Sequence, residues 1–276
     1  VPVSGIVTFG VECENINNCW NDYYIYSVNN IDKEICCLYD IPQDYSSGRD
    51  VYYGNKNVKL SAGTYYFVVK YTWGPSNDYG SHNVTLSYKP SLGKPSNFKV
   101  SSRKTTSLKL SWKKVSGASG YQIQQKKSGK WKTIKNTTSN AYTVSKLKAG
   151  TSYQFRVRSY KTISGKKYYG SWVTLTTPTK PATVTLSSVS SKKSKQFTAK
   201  WKKVTGSGYQ IQYSTSKNFS KNKKTVTVSK NSTTSKTISK LKSKKKYYVR
   251  VRAYKTVNGT KYCGAWSKTK AVTTKR

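Results

Sequence analysis

The sequence predicts an all-β protein of three antiparallel β-sandwich domains in a row, and three observations carry that expectation. Tyr occurs 24 times in 276 residues, Met is absent, and Thr, Ser and Val are abundant, a composition suited to pleated, half-buried strands. Apolar and polar residues alternate with period two, as where Leu108 and Leu110 lead to Trp112, which is the pattern of a strand with one buried face. A long stretch also repeats itself. Trp112-Lys-Lys-Val115 returns as Trp201-Lys-Lys-Val204, Tyr121-Gln-Ile-Gln124 as Tyr209-Gln-Ile-Gln212, and Arg156-Val-Arg158 as Arg250-Val-Arg252. The offset of 88 to 94 residues is too long for a solenoid unit and fits a complete small domain.

The first domain is read over residues 1–90. Strands are expected at Ile6 to Val11, Tyr23 to Val28, Ile35 to Tyr39, Tyr65 to Tyr71 and Asn83 to Tyr88, a small β-sandwich or jelly roll. Four cysteines fall here: Cys13, Cys19 and the vicinal pair Cys36 and Cys37. Adjacent strand residues face opposite sides, so only one of the vicinal pair can point at a given partner. A disulfide from Cys13 or Cys19 to Cys36 or Cys37 is expected, with the pairing open. A zinc tetrathiolate is the sharper alternative, but it wants a Cys-x-x-Cys knuckle, and no metal site is assigned. Asp40, Asp44 and Asp50 lack the spacing of a calcium loop and read as solvated acids. Trp73, with Tyr71 and Tyr79 around a Gly, Pro and Asn loop, offers flat faces to a sugar ring or peptide side chain, or else caps the sandwich. The stretch Leu60-Ser-Ala-Gly-Thr-Tyr-Tyr-Phe-Val-Val69 with Val84-Thr-Leu-Ser-Tyr88 resembles the closing strands of the bacterial pre-peptidase C-terminal domain, a jelly-roll module that accompanies exported enzymes.

Pro-containing seams, Pro90-Ser-Leu-Gly-Lys-Pro95 and Thr177-Pro-Thr-Lys-Pro181, set off the two copies, 95–178 and 181–276. Within each, strands run through Tyr121 and Ile123, and through Tyr153, Phe155 and Val157 with Arg156 and Arg158 between them. The phase turns the aromatics inward and the arginines outward. Trp112 with Leu147 and Tyr153, and Trp201 with Leu241 and Tyr247, reproduce the early-strand Trp and the Leu-x-x-x-x-x-Tyr corner in both copies. On these residues the chain resembles tandem fibronectin type III domains, which are immunoglobulin-like sandwiches. The resemblance implies that the Trp residues fill the cores and that each corner Tyr hydroxyl bonds back to the backbone. Copy 1 keeps Gly150-Thr151 before its corner Tyr, whereas copy 2 has Lys244-Lys245-Lys246. In its Lys-rich, acid-free form the pair is also similar to modules appended to secreted proteins of Gram-positive gut bacteria. Cys263 stands where copy 1 has Tyr169 and reads as an unpaired substitution.

Charge divides the molecule sharply. All nine Asp and Glu lie between Glu12 and Asp78, and the single His is His82, while 45 of the 51 Lys and Arg lie in 91–276. General acid and base chemistry, glycosidase carboxylate pairs, Asp-based triads and hard-metal cages all need groups that residues 91–276 lack. The enzymatic alternative would rest on His82, Asp78 or a cysteine in the first segment, and no Ser/His/Asp or Cys/His motif is present there. No apolar run approaches the 18 residues of a membrane span, and no cofactor is implied.

A field of this sign favours polyanions by steering and counterion release. The expected partners are anionic cell-wall or mucosal polymers, with glycans as a second ligand class. Nucleic acid would be held only non-specifically, because no base-reading motif accompanies the charge. Arg156, Arg158, Arg250 and Arg252 are the candidate polyanion contacts. Integrin recognition finds no support, since no Arg-Gly-Asp occurs and Gly48-Arg49-Asp50 has another order. The chain opens at Val1 without an initiator Met and reads as a mature form or a fragment. The expectation is a non-catalytic extracellular binding or spacer protein; the alternative is the accessory C-terminal region of a larger secreted hydrolase.

Overall fold

The computed structural model describes residues 5–14, 21–27, 30–38, 43–44, 51–60, 65–71 and 82–276, and every regular element among them is a strand. In the first segment these are β1 (Gly5–Glu14), β2 (Asn21–Ser27), β3 (Asn30–Leu38), β4 (Gln43–Asp44), β5 (Val51–Leu60), β6 (Tyr65–Tyr71) and β7 (His82–Pro90). They form two antiparallel sheets, β4-β5-β1-β7 and β3-β2-β6. Gly5 lies opposite Leu60 and Val7 opposite Val58, and these four residues are buried. The face is set by that pairing, because residues opposite one another and two apart along a strand point the same way. Strand β5 has no counterpart in the sequence reading. Gly54, Asn55 and Asn57 weaken its local β signal, and ten residues of pairing with β1 override the weakness. Cys13 lies on β1 and the vicinal pair on β3, in different sheets; Cys19 lies outside the described residues.

Copy 1 contains β8 (Lys99–Arg103), β9 (Leu108–Ser111), β10 (Gly120–Lys127), β11 (Lys130–Thr137), β12 (Ala141–Val144), β13 (Ser152–Ile163), β14 (Lys166–Tyr169) and β15 (Val173–Pro178). Copy 2 repeats them as β16 (Leu186–Ser190), β17 (Phe197–Trp201), β18 (Gly208–Ser214), β19 (Lys224–Val228), β20 (Ser235–Ile238), β21 (Lys246–Val257), β22 (Thr260–Cys263) and β23 (Lys270–Thr273). Each copy has a three-stranded sheet, β12-β9-β8 or β16-β17-β20, and a five-stranded one. The latter run β11-β10-β13-β14 with β15 on β13, and β19-β18-β21-β22 with β23 on β21. The chain divides into two compact units, Val1–Lys94 with Val115–Tyr121 and Arg158–Ser171, and Pro95–Lys114 with Gln122–Val157 and Trp172–Arg276.

Alternation converts directly into burial. Leu108, Leu110, Ile123, Phe155 and Val157 are fully buried in copy 1, as are Phe197, Tyr209, Ile211, Val249 and Val251 in copy 2. Each such side chain contributes about 1.5–3 kcal/mol relative to exposure. Trp112, Leu147, Trp201 and Tyr247 are buried, while Tyr153 and Leu241 are half-buried at the sandwich ends. Phe98 meets Trp112 edge-on at 6.0 Å between centroids, and Trp201 packs on Tyr209 at 5.3 Å.

Both tyrosine corners close. The Lys148 N–H donates to the Tyr153 hydroxyl at 2.7 Å, and the Lys242 N–H to that of Tyr247 at 3.2 Å. Lys244 substitutes for Gly150 three residues before the corner Tyr by adopting the same left-handed backbone, φ 49° against 65°. For a side chain with a Cβ this conformation costs about 1–2 kcal/mol, so copy 2 retains its corner under local strain.

Candidate functional site: two arginine ladders in an acid-free face

The long central strands β13 and β21 carry the candidate arginines between fully buried neighbours, so each guanidinium rises from the outer face of its five-stranded sheet. In copy 2 the register sets Gln212 opposite Arg250 and Gln210 opposite Arg252. Arg250 Nε donates to Gln212 Oε1 and Arg252 Nε to Gln210 Oε1, each at 2.8 Å. The Arg250 guanidinium stacks 4.0 Å from the Phe219 ring centre and 4.8 Å from Trp266, and Arg252 stacks 4.3 Å from Trp266. Copy 1 builds the same device with Trp172 in the place of Trp266 and Trp131 in the place of Phe219. Arg156 Nε donates to Gln124 Oε1 at 2.8 Å, with its guanidinium 4.1 Å from Trp172 and 4.5 Å from Trp131. Arg158 lies 3.6 Å over Tyr169, a residue 39% exposed, which makes it the one large apolar side chain open to solvent among the described residues.

The geometry follows from what the sequence withholds. With no side-chain carboxylate between 91 and 276, a guanidinium on the sheet face has only neutral partners, and the amide oxygen and the aromatic ring are those the fold supplies. Each stacked contact contributes about 0.5–1 kcal/mol at an exposed site and more when desolvated. Glutamine amides are held in turn: Gln124 Nε2 donates to Thr133 Oγ1 at 3.1 Å, and Gln212 Nε2 to Thr225 Oγ1 at 3.2 Å. Burial lowers the Arg156 pKa, and burial followed by the charge of Arg252 lowers that of Arg250. Both stay protonated at any physiological pH, since arginine starts far above neutrality.

The four arginines are therefore half-buried, stacked and positioned, whereas many lysines of the surface are exposed. Lys109, Lys130, Lys132, Lys135, Lys200 and Lys236 are all exposed. Trp73 and Tyr79 lie outside the described residues, and Tyr71 is placed only by its backbone at the end of β6. Cys263 is a free, half-buried thiol 3.7 Å from Gln210 Oε1. No group of His, Cys, Asp and Glu that could hold a metal occurs among the described residues. No helix among them is long and apolar enough to cross a membrane.

Paired Greek-key-like sandwiches with a core Trp and a tyrosine corner define a class of immunoglobulin-like modules. A family model described as the fibronectin type III domain matches residues 93–174 and 179–264, more than half of the chain, and the chain belongs to that family. Similar solved structures include a two-domain fibronectin type III segment of chicken tenascin, at 21% identity over 65% of this chain and 97% of that one with a TM-score of 0.40. The FN1–FN3 domains of chicken CNTN1 match at 17% identity over 100% of both chains with a TM-score of 0.37. FN3tt matches at 27% identity over 32% of this chain and 94% of that one, with a TM-score of 0.28. No curated protein matches the chain. Fibronectin type III repeats are binding or spacer modules, generally non-catalytic and typically extracellular.

Proposed function

We propose that the chain is an extracellular, non-catalytic binding and spacer protein whose basic repeats hold it against anionic wall or mucosal polymers. The observation that carries this reading is the 45 cationic side chains and no carboxylate side chain in 91–276. A solubility device would need only a modest net charge and tolerates both signs. Complete exclusion of one sign leaves a uniformly positive field that steers and retains polyanions. Lysines exposed on both sheets supply many weak contacts, which add by multivalency without depending on any one residue. The first segment, with its resemblance to the pre-peptidase C-terminal domain, fits an accessory module that brings a second ligand surface, and Trp73 with Tyr71 and Tyr79 is the candidate for glycans.

Retention of the chain on immobilised anionic polymers and on neutral polysaccharides, across a salt series, tests this reading. Polyanion affinity should fall linearly on a log–log plot, by roughly 0.7–0.9 in slope per cation engaged. Binding to neutral polysaccharide alone, insensitive to salt, would overturn the electrostatic reading.

A further inference from the structure

Three segments meet at one end of copy 2 and are tied together through Thr274, which is 2% exposed. Its hydroxyl donates to the Lys242 carbonyl at 2.6 Å, and its N–H donates to the Lys245 carbonyl at 3.1 Å. Its own carbonyl accepts from Lys244 N–H at 3.0 Å. The β16–β17 turn joins the knot as Leu241 N–H donates to the Lys195 carbonyl at 2.9 Å and Lys275 N–H donates to Ser191 Oγ at 3.1 Å. Copy 1 has the same hub in Thr179, whose hydroxyl donates to the Lys148 carbonyl at 2.7 Å. The scaffold is shared, and its decoration only in part.

The turn of copy 2 presents Lys192, Lys193 and Lys195, and the end of the chain presents Lys275 and Arg276, all exposed. Between them lie Lys240, Lys242, Lys244, Lys245 and Lys246, also exposed. At the matching positions copy 1 keeps Arg103, Lys104, Lys146, Lys148 and Lys180, and has Thr106 for Lys195, Gly150-Thr151-Ser152 for Lys244 to Lys246 and Pro181 for Arg276. Lys195 and Lys244 sit at φ 53° and 49°, where Gly or Asn would be free of strain; Lys240, at 58°, repeats the backbone of Lys146 in copy 1. Backbone strain retained for a particular side chain is a pointer to use of that side chain.

The two ends also differ in what they can seat. A Cβ at Gly150 would lie 2.1 Å from the Thr205 carbonyl oxygen, so the copy 1 end works only with glycine against the chain that follows. Lysine at 244 forbids that arrangement in copy 2 and puts a cation in its place.

We propose that this end of copy 2 is a docking site for a linear phosphodiester polymer without aromatic bases, an inference that rests on the polyanion reading above and assigns it a place. Nine of the ten cations there are lysines, whose compact ammonium groups bind phosphate as point charges. Of the aromatic residues of this end, Tyr247 is 7% exposed with its hydroxyl accepting from Lys242 N–H, and the half-buried Tyr248 has Lys246 Nζ 5.7 Å from its ring centre, so neither offers an open face for stacking a base or sugar.

The test titrates the full chain with synthetic poly(glycerol phosphate) over a salt series. Lys244→Gly/Lys245→Thr/Lys246→Ser installs the sequence of copy 1 and keeps the corner. Lys130→Ser/Lys132→Thr/Lys135→Ser removes three exposed cations from β11 as an equal loss of charge. The first variant is expected to weaken binding at least about tenfold and to flatten the salt slope by about two, the second by less than about threefold. Lys193→Gln/Lys245→Gln/Lys275→Gln, one cation from each segment with no backbone demand, repeats the measurement should the first variant unfold. Equal losses in site and control variants overturn the site while leaving diffuse polyanion binding intact. Absence of binding by the unmodified chain at low salt overturns both. A sulfated glycan of matched charge density held at least as tightly through the same lysines overturns the assignment to phosphodiesters.

Discussion

Lys244 makes the strained corner of copy 2 measurable. Its φ of 49° places a Cβ in the left-handed region at about 1–2 kcal/mol, and its side chain is exposed, so Lys244→Gly removes strain without removing a packed contact. Against that gain stands the greater freedom of glycine in the unfolded chain, about 0.4–1 kcal/mol. The difference leaves the variant more stable by about 0.5–1 kcal/mol, and a shift of about 4–8 °C per kcal/mol in a domain of this size makes that roughly 2–8 °C. Loss of one positive charge from a strongly cationic body would also stabilise, so Lys244→Ala is the necessary companion: it removes the same charge and retains the Cβ. Thermal unfolding followed by near-ultraviolet circular dichroism, at fixed salt, compares the three proteins. Lys244→Gly should melt above the unmodified chain and above Lys244→Ala. Equal melting of both variants would refute the strain argument, and with it the inference that strain is retained there for the lysine.

Other expectations follow from the ladders and the charge. Trp266→Ala removes the ring shared by Arg250 and Arg252 and should cost about 2 kcal/mol in denaturant unfolding, with Trp266→Phe recovering part of it. Melting temperature should rise with sodium chloride, because screening relieves like-charge repulsion in 91–276 and no side-chain ion pair there is weakened in exchange; a fall would contradict the neutral-partner account. Burial, followed by Tyr247, raises the Tyr213 pKa above its ordinary value of 10.0. The folded state therefore prefers the neutral phenol, so stability is level below pH 10 and declines as pH rises above it. Tyr213→Phe should shrink that alkaline decline in equilibrium unfolding from pH 9 upward; an unchanged slope would show that Tyr213 is not its source.

How far the sequence foretold the molecule depends on where each signal was stored. The strands through Leu108 and Leu110 and through Phe155 and Val157 were legible, and with them their repeats in copy 2, because these residues report their burial through their own phase. Strand β5 was not, since its register against β1 is a property of two segments and its Gly54 and Asn57 argue locally against a strand. The arginines of β13 and β21 were visible as cations, but their stacking partners were not read. Trp172 and Trp266 recur in the repeat two residues after Gly170 and Gly264, and a conspicuous repeated ring in a chain without carboxylates could have been matched to a cation. Phe219 has no equivalent signal, because copy 1 meets the same need with Trp131 on β11.

The ladders and the surface lysines answer one physical problem from two sides. A sheet face crowded with cations would ordinarily be quieted by Asp or Glu, and every carboxylate so placed would cancel part of the field that attracts a polyanion. Glutamine oxygens and aromatic faces hold Arg156, Arg250 and Arg252 without cancelling any charge, so cohesion and a full positive field coexist in one fold. Replacing Gln212, 7% exposed, by Glu separates the two roles. The new carboxylate would face Arg250 across a 2.8 Å contact and strengthen the pair, since charge-assisted bonds are roughly twice as strong as neutral ones. Gln212→Glu should therefore raise the unfolding midpoint at low salt while slightly weakening polyanion retention. A variant that lost stability would mean that burial of the carboxylate outweighs the pairing, and that neutral partners are imposed by the packing of the face as well as by the demand for charge.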